Sequence, residues 1–250
     1  MNKNLLLYLI PLVLLSCKKQ GQVTPEPAKA LASIRNTNIN GHSILTSYSY
    51  NNNGRLYLET TKDESTGAIL FQEYRHQNGV LHISDILNDT RKFSKIEYTY
   101  ASDKVTKMRY FEIDQYLNAE FLFERNFEYQ NGRIYKVSTM ANTGQAGEYT
   151  LFTFSGDNVA ETKTYAGNGT LLLTAQYEYD NKINPYFGLY NHLFIITGYN
   201  KSNITKSVQI DHMTNGIITT RYAYTYNSAN QPIAQFLASN LQQALITFNY

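Results

Sequence analysis

A pair of aromatic residues two positions apart, followed by a turn, recurs about every 25 residues along this chain. Tyr48-x-Tyr50 leads into Asn51-Asn52-Asn53-Gly54, and Phe127-x-Tyr129 leads into Gln130-Asn131-Gly132. Glu73-Tyr74 before Asn78-Gly79 is a looser copy. Tyr98-x-Tyr100, Phe152-x-Phe154, Tyr177-x-Tyr179, Tyr224-x-Tyr226 and Phe248-x-Tyr250 continue the series. Counted on the second aromatic, with Tyr74 in that role for its unit, the steps are 24, 26, 29, 25, 25, 47 and 24 residues. The longest step reads as two units, with Tyr199-Asn200-Lys201 as a degraded marker between them.

A repeat of this period is one supersecondary unit that buries its apolar face against its neighbours. Aromatics at i and i+2 share a face only on a strand, where side chains alternate with period two. Asn-Gly supplies the positive φ that a tight hairpin turn needs, so Gly54 and Gly132 are expected there. Tyr, Thr, Ile, Val and Phe dominate the segments between turns, which is strand composition. The predicted fold is therefore all-β: an antiparallel meander of about eight hairpin units and about 16 strands. It either closes into a wide barrel or stays a long curved sheet. A barrel of that size leaves a lumen wider than its own side chains fill.

The unit aromatic-x-Tyr-Asp/Asn-x-x-Gly-Arg-Leu resembles the YD (RHS-type) repeat, whose members build spiralling β-sheets. Tyr177-Glu-Tyr179-Asp180-Asn181-Lys182-Ile183-Asn184-Pro185-Tyr186 is similar to a segment of uncharacterised Bacteroidetes-type lipoproteins. Some of those carry a domain of unknown function with a porin-like β fold. The resemblance covers residues 45–250 in pattern and implies a lipidated extracytoplasmic β-domain with no established activity.

The first seventeen residues are expected to be a targeting segment rather than part of the fold. Lys3 gives the basic start, residues 5–15 are apolar but for Tyr8 and Pro11, and Leu14-Leu15-Ser16-Cys17 resembles a lipoprotein lipobox. The apolar run is too short for a membrane-spanning helix, which needs about 20 residues. Acylation at Cys17 would anchor the chain to a membrane without any inserting element of its own. Lys18-Lys19-Gln20 contains no aspartate of the inner-membrane-retention kind and no acidic surface-export cluster. That places the expected anchor in the outer membrane, with the domain facing the periplasm rather than the cell surface. Residues 18–42, with Pro25 and Pro27, read as a flexible tether with room for a short helical turn at 28–35. Residues 43–250 read as one β-repeat domain.

Cys17 is the single cysteine, so its acylation excludes disulfides and thiol chemistry in the folded part. Without Lys3 the chain carries 21 basic and 20 acidic residues, scattered singly, which excludes the concentrated basic face that nucleic acid requires. No His-x-His pair or helical His-x-x-x-His marks a metal site, no cofactor motif is present, and His76 and His82 read as exposed strand histidines. No Gly-x-Ser-x-Gly or oriented Ser-His-Asp set is present, so no catalytic residue is assigned. Glu59, Glu73, Glu97, Glu112, Glu128 and Glu178 read as cross-strand partners of Lys and Arg.

The candidate aromatic face is Tyr50, Tyr74, Tyr100, Tyr129, Phe154, Tyr179 and Tyr226. Stacking into a core is one use for it, and an aromatic floor for a glycan, peptide or envelope protein is the other. Asn184, Pro185, Tyr186 and Phe187 open a departure from the repeat, where proline forbids a central strand. That segment is expected to form an ordered loop folding over one end of the sheet. The expected function is a membrane-anchored, non-enzymatic binding or scaffolding module of the envelope. A glycan-active hydrolase and an outer-membrane-spanning barrel are the competing classes. The second of these would need an uncharged lipid-facing band about 25 Å tall.

Overall fold

The computed structural model describes residues 30–88, 91–187 and 196–250. Residues 1–29, on which the expected targeting segment, Cys17 and most of the expected tether fall, lie outside them. Sixteen antiparallel strands form one closed barrel in simple meander order. They are β1 (Ser33–Asn38), β2 (Ser43–Tyr50), β3 (Leu56–Asp63), β4 (Ile69–Gln77), β5 (Val80–Asn88) and β6 (Arg91–Ala101). Then follow β7 (Lys104–Ile113), β8 (Ala119–Gln130), β9 (Arg133–Ala141), β10 (Ala146–Ser155) and β11 (Asn158–Tyr165). The last five are β12 (Leu171–Ile183), β13 (Ser202–Asp211), β14 (Gly216–Tyr226), β15 (Pro232–Ser239) and β16 (Gln243–Asn249). Closure selects the barrel over the open curved sheet.

Each aromatic marker sits at the end of an even-numbered strand, so all the markers gather at one end, the mouth. Seven of the eight units turn there within the chain. The eighth does not. β16 carries Phe248 and finds its return strand in β1, with Phe248 opposite Ile34 and Asn249 opposite Ser33. This moves the domain boundary: residues 33–38, assigned above to the tether, are a strand bonded to β2 as well as β16. Its Ser-Ile-Arg-Asn-Thr-Asn sequence puts one large apolar side chain, Ile34, on the inner face, so no alternation betrays it.

A second correction concerns the step of 47. Between the markers Tyr179 and Tyr226 lie only β13, β14 and an 18-residue connection, residues 184–201. Tyr199 ends a 3₁₀ turn, Ile196–Tyr199, and marks no strand.

The turns follow the glycine chemistry. Asn131 and Gly132 have φ of 50° and 81°, a two-residue turn whose twist matches the strands it joins. Gly54 has φ 71° and follows three residues of a wider turn, in which its N–H donates to the Asn51 carbonyl at 2.9 Å.

Inside the barrel, the half towards the mouth is packed with apolar side chains. Tyr48, Tyr98, Phe127 and Phe152 are between 3 and 8% exposed and belong to one cluster with Ile34, Val159 and Phe248. The outer face is different. Asp85 pairs with Arg75 and Lys92, Lys95 and Arg109 flank Glu97, and Lys107–Glu124, Lys136–Glu128, Lys163–Glu161 and Lys206–Glu178 follow around the wall. Apart from those of the buried Asp85, pairs as exposed as these stabilise little, about 0–1 kcal/mol each. Facing lipid they would be costly, about 2–4 kcal/mol for a Lys or Arg at the bilayer midplane.

Candidate binding site at the barrel mouth

In six units the second aromatic has the same local geometry. Tyr50 lies opposite Leu56, Tyr100 opposite Val105, Tyr129 opposite Ile134, Phe154 opposite Val159, Tyr179 opposite Ile204 and Tyr226 opposite Pro232. In every case the register shifts immediately before that pair. The extra residue on the return strand is a β-bulge, which adds twist and bends the hairpin tip. As a result the ladders between units stop short of the mouth: β5 and β6 pair no further than Ile83–Glu97, and β7 and β8 no further than Lys107–Asn126.

Backbone carbonyls are left open along those seams, and the marker tyrosines answer them. The Tyr129 hydroxyl donates to the Val105 carbonyl at 3.0 Å, Tyr179 to Val159 at 2.6 Å, and Tyr50 to Leu31 at 2.9 Å. Tyr250 reaches Pro232 at 2.8 Å, while Tyr224 takes the Ile204 carbonyl at 2.8 Å because Tyr226 bonds Asp180 instead. Burial pushes the Tyr100 hydroxyl up to about 12 and raises Tyr129, so these groups stay protonated donors. Phe154 has no hydroxyl. There Arg133 lies 5.4 Å from the ring centre and donates to the Gly156 carbonyl at 2.5 Å.

The predicted aromatic face therefore divides. Tyr50, Tyr100, Tyr129, Phe154, Tyr179 and Tyr226 form the half-buried layer at the mouth. Tyr74 lies deeper, 4% exposed, with its hydroxyl on Glu59 at 3.2 Å. The mouth position of its unit belongs to His76, which stands opposite Leu81 after the same register shift. His76 is thus half-buried at the cavity rather than an exposed strand histidine. Its spacing to Gly79 equals that of Tyr129 to Gly132, a signal present in the sequence that pairing by aromaticity missed.

The described ends of the connection, residues 184–187 and 196–201, partly cover this end. Asn184 is buried and donates to the Asn200 carbonyl at 2.6 Å, and Asn200 accepts from the Val159 N–H at 2.8 Å. Pro185 turns the chain inward. Tyr186 packs edge-on against Phe248 at 6.0 Å, and Tyr199 packs likewise against Phe152 at 6.0 Å. Both phenols are pushed up by burial. Phe187 stays 49% exposed at the cavity edge, and residues 188 and 189 of the expected loop lie outside the described residues.

Two spaces remain. A cavity of about 530 Å³ opens at the mouth, with Tyr100, Tyr129, Phe154 and Tyr199 among its walls. Arg55, Lys104, Arg133 and Lys201 enter it, against Asp103 and Asp157. Asp157 is claimed by Lys201 at 2.8 Å and Arg133 at 3.0 Å, which hold its carboxyl below the usual range. Lys104 rests over the Tyr129 ring at 5.3 Å. Among the described residues neither Arg55 nor Lys104 has a carboxylate partner. Burial and the charge on Arg55 lower the His76 pKa, which leaves His76 neutral at pH 7. A second chamber of about 380 Å³, beneath Tyr186, is lined by uncharged groups including Tyr177, Tyr222, Gln209 and Gln235. Among the described residues no three His, Cys, Asp or Glu side chains gather as metal ligands.

No protein-family model and no curated protein matches the sequence. Solved structures do. A porin-like protein from Bacteroides uniformis ATCC 8492 aligns over 88% of this chain and 96% of its own, with 15% identity and a TM-score of 0.59. A porin-like protein from Bacteroides vulgatus ATCC 8482 aligns over 89% and 99%, with 8% identity and a TM-score of 0.50. At these identities the likeness is one of fold: the chain is built as a porin-like β-barrel.

Proposed function

We propose that this chain is a lipid-anchored envelope protein, held through Cys17 in the outer membrane, whose barrel mouth binds an anionic ligand without chemical conversion. One observation carries the reading. Arg55 and Lys104 face an aromatic-walled cavity with no carboxylate of their own among the described residues, so a bound anion would complete their pairing. The fold likeness to porin-like proteins of Bacteroides is consistent with an envelope setting.

A hydrolase draws less support from the same geometry. A glycosidase acid needs a raised pKa, and Asp157 is held down by two cations. A spanning barrel draws less support from the ion pairs that ring the outer wall, since lipid-facing charge is disfavoured.

The test compares oligogalacturonate with a neutral oligosaccharide of the same length, read as a shift in melting temperature. Acidic oligomers should raise it at low salt, neutral ones should not, and Arg55→Gln with Lys104→Gln should remove the response. Equal shifts for both sugars, or an unchanged response in the double variant, would discard the mouth as an anion site. Loss of acyl label in Cys17→Ser checks the anchor separately.

A further inference from the structure

We infer that the anionic ligand of the mouth is the headgroup layer of the membrane that holds the anchor, so the barrel stands with its mouth on anionic phospholipid. The inference rests on the anchor and mouth readings above and adds the orientation of the molecule and the source of the anion.

The first support is where the chain emerges. Leu31 lies at the mouth, since its carbonyl accepts the Tyr50 hydroxyl at 2.9 Å, and the Ala32 N–H donates to the Asn249 carbonyl at 2.7 Å. Twelve residues separate Cys17 from Ala30. Fully extended, that stretch spans at most roughly 45 Å. An acylated Cys17 would therefore keep the mouth end within that distance of the bilayer, with the chain leaving the barrel on the mouth side.

The second support is charge polarity along the barrel axis. Arg55, Lys104, Arg133, Lys182 and Lys201 stand on the mouth strands and turns, against Asp103, Asp157 and Asp180. Asp180 is turned inward, where it accepts from Tyr226, the Lys182 N–H and Asn203. At the far end stand Asp63, Glu64, Glu112, Asp114, Glu120 and Asp211, against Lys62, Arg91 and Lys92, with Arg35 reaching Glu64. The molecule as a whole is nearly neutral, with a formal charge of +2, so this separation is positional rather than a surplus of lysine. An anionic surface attracts the basic end and repels the acidic one, and both effects fix the same orientation.

The third support is the shape of the basic end. A phosphodiester headgroup combines one negative charge with a hydroxylated frame. The cavity matches that with Arg55 and Lys104 at the rim and the Tyr100 and Tyr129 rings as walls. No long apolar element is needed for insertion, because the acyl chains would supply it.

The experiment uses the full lipidated chain in vesicles of phosphatidylglycerol or of phosphatidylcholine. With Cys17 acylated no other thiol exists, so Asn53→Cys labels the mouth alone and Thr143→Cys labels the far end alone. A quencher on the lipid headgroups should dim the mouth label strongly and the far label weakly in phosphatidylglycerol, and the difference should shrink in phosphatidylcholine. Each basic side chain near an anionic surface favours the docked state roughly fivefold, so Arg55→Gln with Lys104→Gln should lower its equilibrium constant roughly 25-fold. An anchored chain whose two labels are quenched equally in phosphatidylglycerol overturns the docking and spares the anchor. So does a mouth signal that the double variant and the change of lipid leave intact, since the tether alone would then explain it. A chain that stays in the supernatant overturns anchor and docking together.

Discussion

At the mouth a single hydroxyl separates a seam that is closed from one that is clamped by other means. Tyr129 spans the gap between β7 and β8 with one hydrogen bond at 3.0 Å, in a place where the ladder has already ended. Tyr129→Phe keeps the ring and strands the Val105 carbonyl, so it should cost about 1 kcal/mol in a urea titration. At Phe154 no hydroxyl is present, and Arg133 crosses that seam instead, over the ring and onto the Gly156 carbonyl. A wild-type midpoint for Tyr129→Phe would mean that water already serves the seam. His76 belongs to the same layer but reports on pH. Its folded pKa lies below its ordinary value of 6.5, for burial and then Arg55 oppose the charge. The folded state therefore holds that proton less tightly than the unfolded chain. The stability gained from neutral His76 is complete above about pH 6.5 and declines as pH falls from there, until the folded group also protonates. His76→Gln should flatten the melting curve series between pH 7 and 5.5, and a steeper series in the variant would reverse the sign of this argument. Neither residue role was open to a reading of composition. The motif made Tyr74 the marker because it is aromatic, whereas the turn spacing, not the ring, sets which side chain reaches the mouth.

At the scale of the hairpin, the repeat was legible because its turn chemistry and its alternation agree. Asn131-Gly132 requires two positive φ angles, and Phe127 with Tyr129 requires one inward face; a single strand-turn-strand unit meets both. Gly132→Val forces a β-branched side chain into φ near 81° and should destabilise by about 1–3 kcal/mol without changing the strand content seen by circular dichroism. A variant as stable as the wild type would show that the turn relaxes to another type. The β-bulge at the mouth end of the seven turn-linked units, absent where β16 meets β1, was not legible, since it is a register property with no residue of its own: the inserted positions hold Tyr57, His82, Thr106 and Tyr135 in successive units. The connection at 184–201 was half legible. Asn184-Pro185 announced a departure from the sheet, and Tyr186 does turn inward. Tyr199 misled because Tyr-Asn-Lys looks like a worn marker, while its ring is used to pin the second stem of the loop against Phe152.

For the whole molecule, the decisive contact is the one that no turn enforces. β16 and β1 make the eighth hairpin without a covalent link, and the chain closes on itself as a latch closes a ring. Sequence reading placed β1 in the tether because a latch strand shows no hairpin signal on its own. Its pattern is completed only by Phe248 and Asn249, more than 200 positions away. Closure removes the two exposed edges that an open sheet of this length would present to other chains. If the latch is geometrically a hairpin, then the choice of where the chain begins is arbitrary. A circular permutant tests this directly: Tyr250 is joined to Leu31 through Asn-Gly, residues 1–30 are removed, and new termini are cut in the exposed turn at 142–145. The new turn makes local a contact that otherwise requires closing the longest loop in the molecule, a loop whose entropic cost grows only slowly with length. The permutant should therefore fold to the same strand content, with a stability within about 1–2 kcal/mol of the parent, and should refold at a similar rate, because the cut makes β9–β10 the single long-range pairing in place of β1–β16. Deleting residues 30–38 instead leaves β2 and β16 with open edges, and that chain should self-associate on a sizing column at micromolar concentration. A permutant that fails to fold, beside a deletion that stays monomeric, would show that β1 is an accessory strand and that the barrel is held by something other than its latch.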